Sequence, residues 1–389
     1  MKIGLVLSQA PAYSETFFKS KIKGLQKQGF NVILFCQENK TGFDGCEVKL
    51  FSKVSRHPVL QAVYVFRVFI GLLPHWRRVK AWYQLEQPKH LKTFLKQVYI
   101  NAPILKSDLD WLHFGFATLA IQRETLAKAI EAKMAVSLRG FDIAIYPLKH
   151  TNCYAKLWQQ VDKIHVISDD LLKKAYSLGL PKTVSFKKIT PAINRGKFQP
   201  KVKQDLSQRK TYRILTVGRF HWKKGYVNML EALAVLKQQG VEFKYTIVGE
   251  GEEYERITFA IHQLNLKDNV ILLGKLPHDR IINLMEEHEV YLQYSISEGF
   301  CNAVLEAQAM ALLCIVSDAE GLPENVVDGK TGWVVPKQQP KLLAEKLLEV
   351  VALPQDRKQV IQQQARERVD THFTLAEQQK QFKAFYQAI

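Results

Sequence analysis

Ser297-Glu-Gly-Phe-Cys-Asn-Ala-Val-Leu-Glu306 is the stretch whose reading decides the fold. An apolar run, Val290 to Tyr294, leads into it, and an Ala- and Leu-rich run, Val304 to Leu313, leads out. That order predicts a buried parallel strand, a short Gly-containing turn and then a helix with Asn302 as its N-cap. The first-turn amides near Ala303 to Leu305 would lack partners within the helix and carry the positive end of its dipole, which suits a phosphate. Glu298 lies in the turn and Glu306 one turn into the helix, so two carboxylates flank the anion position. Carboxylates repel phosphates and accept hydrogen bonds from hydroxyls. The ligand that fits has phosphate in the middle and a polyol at each end, as a nucleotide sugar does. An isolated pair of Glu at this spacing more often belongs to a solvated helix face, so the flanking sequence decides.

On either side of this stretch the chain alternates strand and helix. Strands are predicted at Ile214 to Val217, Lys244 to Val248, Val270 to Leu273, Cys314 to Ser317 and Gly332 to Val335, with helices at Met229 to Gln238, Tyr254 to Leu264 and Asp279 to Glu287 between them. Helices from Lys341 to Leu353 and from Gln355 onward finish the chain. Upstream, Pro191 to Pro200 and the polar, basic run to Arg213 break the pattern and mark a domain boundary. Before it comes a second alternation: Lys2 to Ser8, a helix over Thr16 to Gln28, then Asn31 to Cys36, Trp111 to Phe114, Ala135 to Leu138 and Lys163 to Ser168. Parallel sheets covered by helices are the expected outcome, and their ligand-facing loops follow the strands' C-terminal ends. In the first half those loops are Ala10 to Glu15, Gly115 to Thr118 and Arg139 to Asp142.

With 389 residues, 47% of them hydrophobic, the chain can hold two domains with their own cores. Five cysteines without paired or zinc-type spacing fit a reducing cytosol. The apolar N-terminus, Met1 to Leu7, is too short for a signal peptide and reads as a first strand. The longest apolar stretch, Val59 to Pro74, is interrupted by Arg67 and falls short of a membrane span. The net charge of +18 is concentrated: Ser52 to Ser107 holds ten Lys or Arg against one acid, Glu86. Tyr64, Phe66, Phe69, Trp76, Trp82, Tyr83 and Phe94 are interleaved with them. Interfacial membrane helices join basic and aromatic character in this way, each basic residue adding roughly 1 kcal/mol at an anionic leaflet. A nucleic-acid groove or a solvated basic face with its aromatics in the core would read similarly.

A second motif, Val217-Gly-Arg-Phe-His-Trp-Lys-Lys-Gly225, follows the first strand of the second half. Its glycines let backbone approach a ligand, and Arg219 and Lys224 can converge on one anion. Two cations on a diphosphate would stabilise the charge that grows on it as a leaving group. Three look-alikes fail. Gly249-Glu-Gly251 has Tyr254 where a dinucleotide fingerprint needs its third glycine, and Gly329-Lys-Thr331 has Glu324 where a P-loop needs its first. Asp108-Leu-Asp110 precedes a strand and reads as a turn.

Together Gly218-Arg219, Lys224-Gly225, Gly249-Glu-Gly251, Gly274, Ser297-Glu-Gly-Phe300 to Glu306-Ala307 and Gly321-Leu-Pro-Glu324 resemble glycosyltransferase family 4, the retaining nucleotide-sugar transferases of GT-B fold. The likeness spans nearly the whole second half. The first half matches by Ser14-Glu-Thr-Phe17, similar to members that build bacterial surface polysaccharides and exopolysaccharides, by His113-Phe114 and by Gly140-Phe-Asp142. The resemblance implies an α/β fold of two Rossmann-like doubly wound domains facing across a cleft, with a C-terminal helix returning to the first. It implies an acceptor-side domain over 1–200, a nucleotide-sugar domain over 201–372 and a returning helix over 373–389.

The same resemblance implies roles. Arg219, Lys224 and Glu298 form the catalytic set, with Arg219 and Lys224 on the donor diphosphate and Glu298 on hydroxyls of the transferred sugar. Glu306 takes the ribose hydroxyls, Gly274 to Leu276 line the base, and Gly218, Phe300, Cys301 and Asn302 complete the donor site. Ser14, Glu15, His113, Arg139 and Asp142 are first-domain cleft candidates, Arg139 standing where many members carry His. The implied activity is a hexosyl transfer with retention, needing no metal or cofactor, from a nucleotide diphosphate sugar to a hydroxyl of a glycan or lipid-linked glycan in polysaccharide biosynthesis. The implied location is the cytoplasm, peripheral at the inner membrane face through 52–107, without nucleic acid as a partner. The alternative is a non-catalytic nucleotide-sugar-binding or scaffolding subunit of a polysaccharide-assembly complex.

Overall fold

A computed structural model describes residues 1–11, 16–200 and 211–387. The chain forms two compact units, Met1–Ile189 joined by the chain from Gln379 on, and Thr190–Gln378. The division falls ahead of the 200/201 boundary read from sequence because residues 190–200 pack with the second unit. There the Ile193 amide donates to the Phe373 carbonyl at 3.0 Å, and Arg195 pairs with Asp370.

The first unit is a seven-stranded, wholly parallel sheet of β1 (Lys2–Val6), β2 (Asn31–Cys36), β3 (Glu47–Leu50), β4 (Trp111–Phe114), β5 (Lys133–Leu138), β6 (Lys163–Val166) and β7 (Ser185–Lys188). Their spatial order is β3-β2-β1-β4-β5-β6-β7. The central strands are apolar runs buried on both faces, as a helix-covered parallel sheet requires. The edge strands β3 and β7 escape sequence reading because Glu-Val-Lys-Leu and Ser-Phe-Lys-Lys are polar and largely exposed.

The second unit is a six-stranded parallel sheet of β8 (Tyr212–Val217), β9 (Phe243–Val248), β10 (Val270–Leu272), β11 (Val290–Gln293), β12 (Leu313–Ser317) and β13 (Trp333–Val335), in the order β10-β9-β8-β11-β12-β13. Strand order reverses between β8 and β11, and such switch points are where doubly wound sheets bind ligands, beyond the strands' C-terminal ends.

The last helix, Leu375–Gln387, belongs to the first unit from Gln379. Phe382, Phe385 and Tyr386 are buried in that unit's core with Ile3, Phe17 and Trp111. Lys163 Nζ caps this arrangement by donating to the Phe385 carbonyl at 2.7 Å.

The basic stretch forms three helices, Pro58–Ile70, Trp76–Glu86 and Leu91–Leu105. Trp82 and Phe94 are core residues in contact, whereas Pro58–Ile70 buries none of its side chains. No single described helix is long and apolar enough to cross a membrane. Pro58–Ile70 and Leu73–Glu86 together meet that length and composition but are bent by 50°.

Candidate functional site

Both motifs occupy the switch point of the second sheet. The Gly218–Gly225 loop follows β8 and the Ser295–Cys301 loop follows β11, the two strands between which the order reverses. Backbone ties the loops together: the Lys223 carbonyl accepts from the Ile296 amide at 2.6 Å and from the Ser297 amide at 3.3 Å. Gly225 is required at this junction, since it sits at φ +66° and a Cβ there would lie 2.3 Å from the Tyr294 carbonyl oxygen. Gly249, at φ +157°, lets the loop after β9 pass against Gly218, where a Cβ would come within 1.9 Å of the Gly218 oxygen. Its amide donates to the Gly274 carbonyl at 2.9 Å, linking three strand-end loops side by side.

On this frame Lys224 and Glu298 are ion-paired, each side chain less than a fifth exposed. Burial disfavours the Lys224 ammonium, but the Glu298 carboxylate outweighs it and the lysine's pKa is raised. Arg219 is exposed beside them, and its charge acts on both Lys223 and Lys224. Glu298 is held at both ends of its backbone: its amide donates to Glu320 Oε2 at 2.6 Å and its carbonyl accepts from the Gly321 amide at 3.1 Å.

Glu306 lies in the Asn302–Ala309 helix with its carboxyl pushed up to about 8 by burial. His278 Nε2 is 3.5 Å from Glu306 Oε1, and His278 begins the helix that directly follows Gly274 to Leu276. The segment read as base-lining is therefore brought to the residue read as ribose-binding. A carboxyl poised near neutrality suits sugar hydroxyls, which can donate to it or accept from it.

Two details differ from the sequence reading. Cys301, not Asn302, is the N-cap position; it offers no side-chain cap, and Asn302 is the first helical residue. The helix stops at Ala309, and Ala311 has φ +66°, so the predicted continuation to Leu313 is instead a left-handed turn into β12. The Cys301 amide is also committed elsewhere, donating to Asn325 Oδ1 at 3.1 Å while Asn325 Nδ2 donates back to the Cys301 carbonyl at 2.8 Å. Phe300 is buried against Phe373, with ring centroids 5.8 Å apart.

Among first-unit candidates, Ser14 and Glu15 lie outside the described residues. His113 and Asp142 are fully buried, so both act on the fold around the loops rather than at an open surface. Asp142 accepts from the amides of Ala117, Arg139 and Gly140 at 3.1, 3.1 and 2.9 Å, which fixes the turn after β5. His113 lies in a buried chain: Tyr386 Oη is 2.6 Å from its Nδ1, Ser137 Oγ is 2.7 Å from its Nε2, and Ser137 continues to His165 Nδ1 at 2.8 Å. Lys21 is buried 3.4 Å from the His113 ring nitrogens, and burial lowers the pKa of Lys21, His113 and His165. Arg139 projects its guanidinium over Phe17 at 3.9 Å and Phe18 at 4.6 Å.

Sequence reasoning missed Glu320, Asn325 and His278, the residues that hold Glu298, Cys301 and Glu306. Glu320 and Asn325 flank the quoted Gly321-Leu-Pro-Glu324 motif, which was the available signal; His278 had none. Among the described residues no group of three or more His, Cys, Asp or Glu side chains is arranged to hold a metal ion.

Two wholly parallel, doubly wound units in one chain define the GT-B class of α/β proteins. Residues 198–368 match the family described as Glycosyl transferases group 1. The chain is 27% identical over its whole length, and that of its relative, to the putative colanic acid biosynthesis glycosyltransferase WcaL of Escherichia coli (strain K12). It is 30% identical to the amylovoran biosynthesis glycosyltransferase AmsK of Erwinia amylovora over 71% of this chain and 69% of that one. Its fold is similar to Anabaena Alr3699/HepE in complex with UDP, with TM-score 0.75, 15% identity and all of both chains covered. The chain belongs to the group 1 glycosyltransferases, and it is a glycosyltransferase.

Proposed function

We propose that this enzyme is a retaining family 4 transferase that moves a hexose from a nucleotide diphosphate sugar to a hydroxyl of a glycan or lipid-linked glycan during polysaccharide assembly. The carrying observation is the convergence of Arg219, Lys224 and Glu298 on adjoining loops at one switch point, with Glu306 on the helix that follows. The second unit takes the donor and the first unit the acceptor side. Arg219 and Lys224 offset the charge that develops on the departing diphosphate, and Glu298 holds hydroxyls of the hexose. Lys224 is held by Glu298, and an arriving diphosphate would supply a stronger anion for the lysine and free the carboxylate for the sugar.

Relatives support the acceptor class. WcaL and AmsK carry colanic acid and amylovoran biosynthesis in their names, and a further relative, 31% identical over 39% of this chain, is a galactosyltransferase acting on GlcNAc-diphosphoundecaprenol. Membership of an enzyme family favours catalysis over the non-catalytic subunit. The exposed apolar side chains of Pro58–Ile70 beside ten basic residues favour docking on an anionic bilayer at the cytoplasmic face, where a lipid-linked acceptor would be found. The test of the assigned site is release of nucleoside diphosphate from a screened panel of donors by Arg219→Ala and Glu298→Ala proteins. Release at the parent rate by either variant removes that residue's role.

A further inference from the structure

The first unit contains a cavity of about 360 Å³ that shares no residue with the donor site or with the strand-end loops. It opens between the C-terminal end of the Trp76–Glu86 helix, the start of the Leu91–Leu105 helix and the Gln122 to Glu124 turn. Its volume is at the lower end of the ~300–1,000 Å³ usual for small-molecule sites.

Most of its lining residues are polar or charged, set around an aromatic floor, and apolar atoms supply most of the exposed lining. Trp82 and Phe94 are both buried, with rings 5.4 Å apart, and the Trp82 indole N–H has no hydrogen-bond partner among the described residues. Glu124 is buried too, and burial raises its pKa. Glu86 accepts from Lys156 Nζ at 2.5 Å and from the Thr125 hydroxyl, so this carboxylate and ammonium are preset at one wall. The turn itself is anchored, since Arg123 Nε donates to Asn101 Oδ1 at 2.6 Å and its guanidinium lies 4.9 Å from the Phe51 ring centre.

These groups select the ligand by elimination. Two carboxylates disfavour a phosphate or a uronate. Lys156 and Lys89 in the lining disfavour a cation, and an acyl chain would cover the Glu86, Glu124 and Lys156 polar groups with hydrocarbon that offers them no hydrogen bond. What remains is a neutral polyol that donates to carboxylate oxygens, accepts from ammonium groups, and sets its C–H face on an aromatic floor. We propose that this cavity is a saccharide pocket for one neutral pyranose unit, separate from the donor site. The choice of a sugar among neutral polyols rests on the polysaccharide reading above.

Saturation-transfer NMR on the full chain tests it, with methyl glycosides of glucose, galactose, mannose and fucose as probes and saturating UDP present throughout to occupy the donor site. At least one probe is expected to show transfer. Thr93→Trp, a substitution at an exposed helical position on the cavity rim, should abolish it, and Glu124→Gln should weaken affinity about tenfold. Thermal shift by UDP is expected to be the same in all three proteins, which shows that the variants fold. No transfer to any probe, or transfer that persists in both variants, overturns the proposal. Binding in the pocket together with no transferase activity on any glycan acceptor would instead sink the polysaccharide reading and leave the pocket standing.

Discussion

Lys224 and Glu298 stand 74 residues apart in sequence yet form an ion pair, because β8 and β11 are neighbours in the second sheet and each sends one loop to the same strand end. The pair is mostly buried, so each charge depends on the other. Glu298→Gln leaves the ammonium without its anion and should destabilise the protein by about 1–3 kcal/mol, below the ~3–5 expected for a fully buried pair. The sign with pH follows from the raised Lys224 pKa. The lysine's contribution is complete below its ordinary value near 10.5 and is lost as pH rises through the higher folded value. The stability gap between parent and variant should therefore be constant from pH 7 to 9 and close only at more alkaline pH, as read by thermal melts. Nucleoside diphosphate release should fall roughly 10²- to 10³-fold in the same variant.

Gly249 tests whether backbone proximity, rather than side-chain chemistry, builds the loop proposed to hold the donor. In Gly249→Ala a Cβ would meet the Gly218 oxygen at 1.9 Å, so one loop must move. The loop after β8 carries Arg219, and displacing it should weaken UDP binding by tenfold or more at a stability cost of about 1–3 kcal/mol. Gly240→Ala is the control: that glycine also has positive φ, +76°, but nothing lies within 4 Å of its would-be Cβ. It should lose some stability to backbone strain and keep its UDP affinity, measured by titration calorimetry.

Glu306 makes a prediction about protons. Its carboxyl sits near 8 against an ordinary 4.5, so between those values the folded chain holds a proton that the unfolded chain has released. Stability contributed at this site therefore falls as pH rises from about 4.5 through 8, with a slope of up to ~1.4 kcal/mol per pH unit. Glu306→Gln removes that fall: the variant should match the parent near pH 5 and exceed it at pH 9. If ribose hydroxyls donate to the ionised carboxylate, UDP binding at pH 7.5 should release roughly half a proton or more from the parent and fewer from the variant. Calorimetry in buffers of different ionisation enthalpy measures the difference, and equal proton counts would remove Glu306 from the ribose site.

Central strands such as Asn31–Cys36 and Leu313–Ser317 were legible because they are runs rich in Val, Ile, Leu and Phe, long enough for burial on both faces. The loops carrying Arg219, Lys224 and Glu298 were legible for a related reason: charged residues and glycines directly after such a run mark a strand's C-terminal end. Illegible features depended on partners distant in the chain. His113 lies near the C-terminal end of β4, where a cleft-facing residue could sit, but its side chain is buried in the core, where Tyr386 meets it from 273 residues away. The Asn302 carboxamide oxygen looked suited to capping, yet the backbone enters the helix one residue earlier, at Cys301, where Asn325 clamps both the amide and the carbonyl. Glu320 was marked only by the Gly321-Leu-Pro-Glu324 motif beside it, and His278 by nothing local, since each matters through a partner distant in the chain.

The Pro58–Ile70 helix carries the last prediction. An amphipathic helix of a globular domain buries one stripe, but this one buries no side chain, although Val59, Leu60, Val63, Tyr64, Phe66 and Ile70 are all apolar or aromatic and all exposed. Phe66 is 66% exposed, and Trp76 on the next helix is 50% exposed. Lone exposed apolar residues need no explanation, whereas a contiguous set flanked by Arg56, Arg67, Arg77 and Lys80 does. An anionic bilayer meets both needs, taking the aromatics into the headgroup layer and the cations at its surface. The full chain should float with phosphatidylglycerol vesicles at about 0.1 M salt and release at about 1 M, where the screening length drops to ~3 Å. Phe66→Ser combined with Trp76→Ser should weaken flotation tenfold or more without changing UDP binding, because neither side chain supports the core. Absence of flotation at low salt would end the docking reading, and flotation unaffected by the double substitution would move the contact away from this helix.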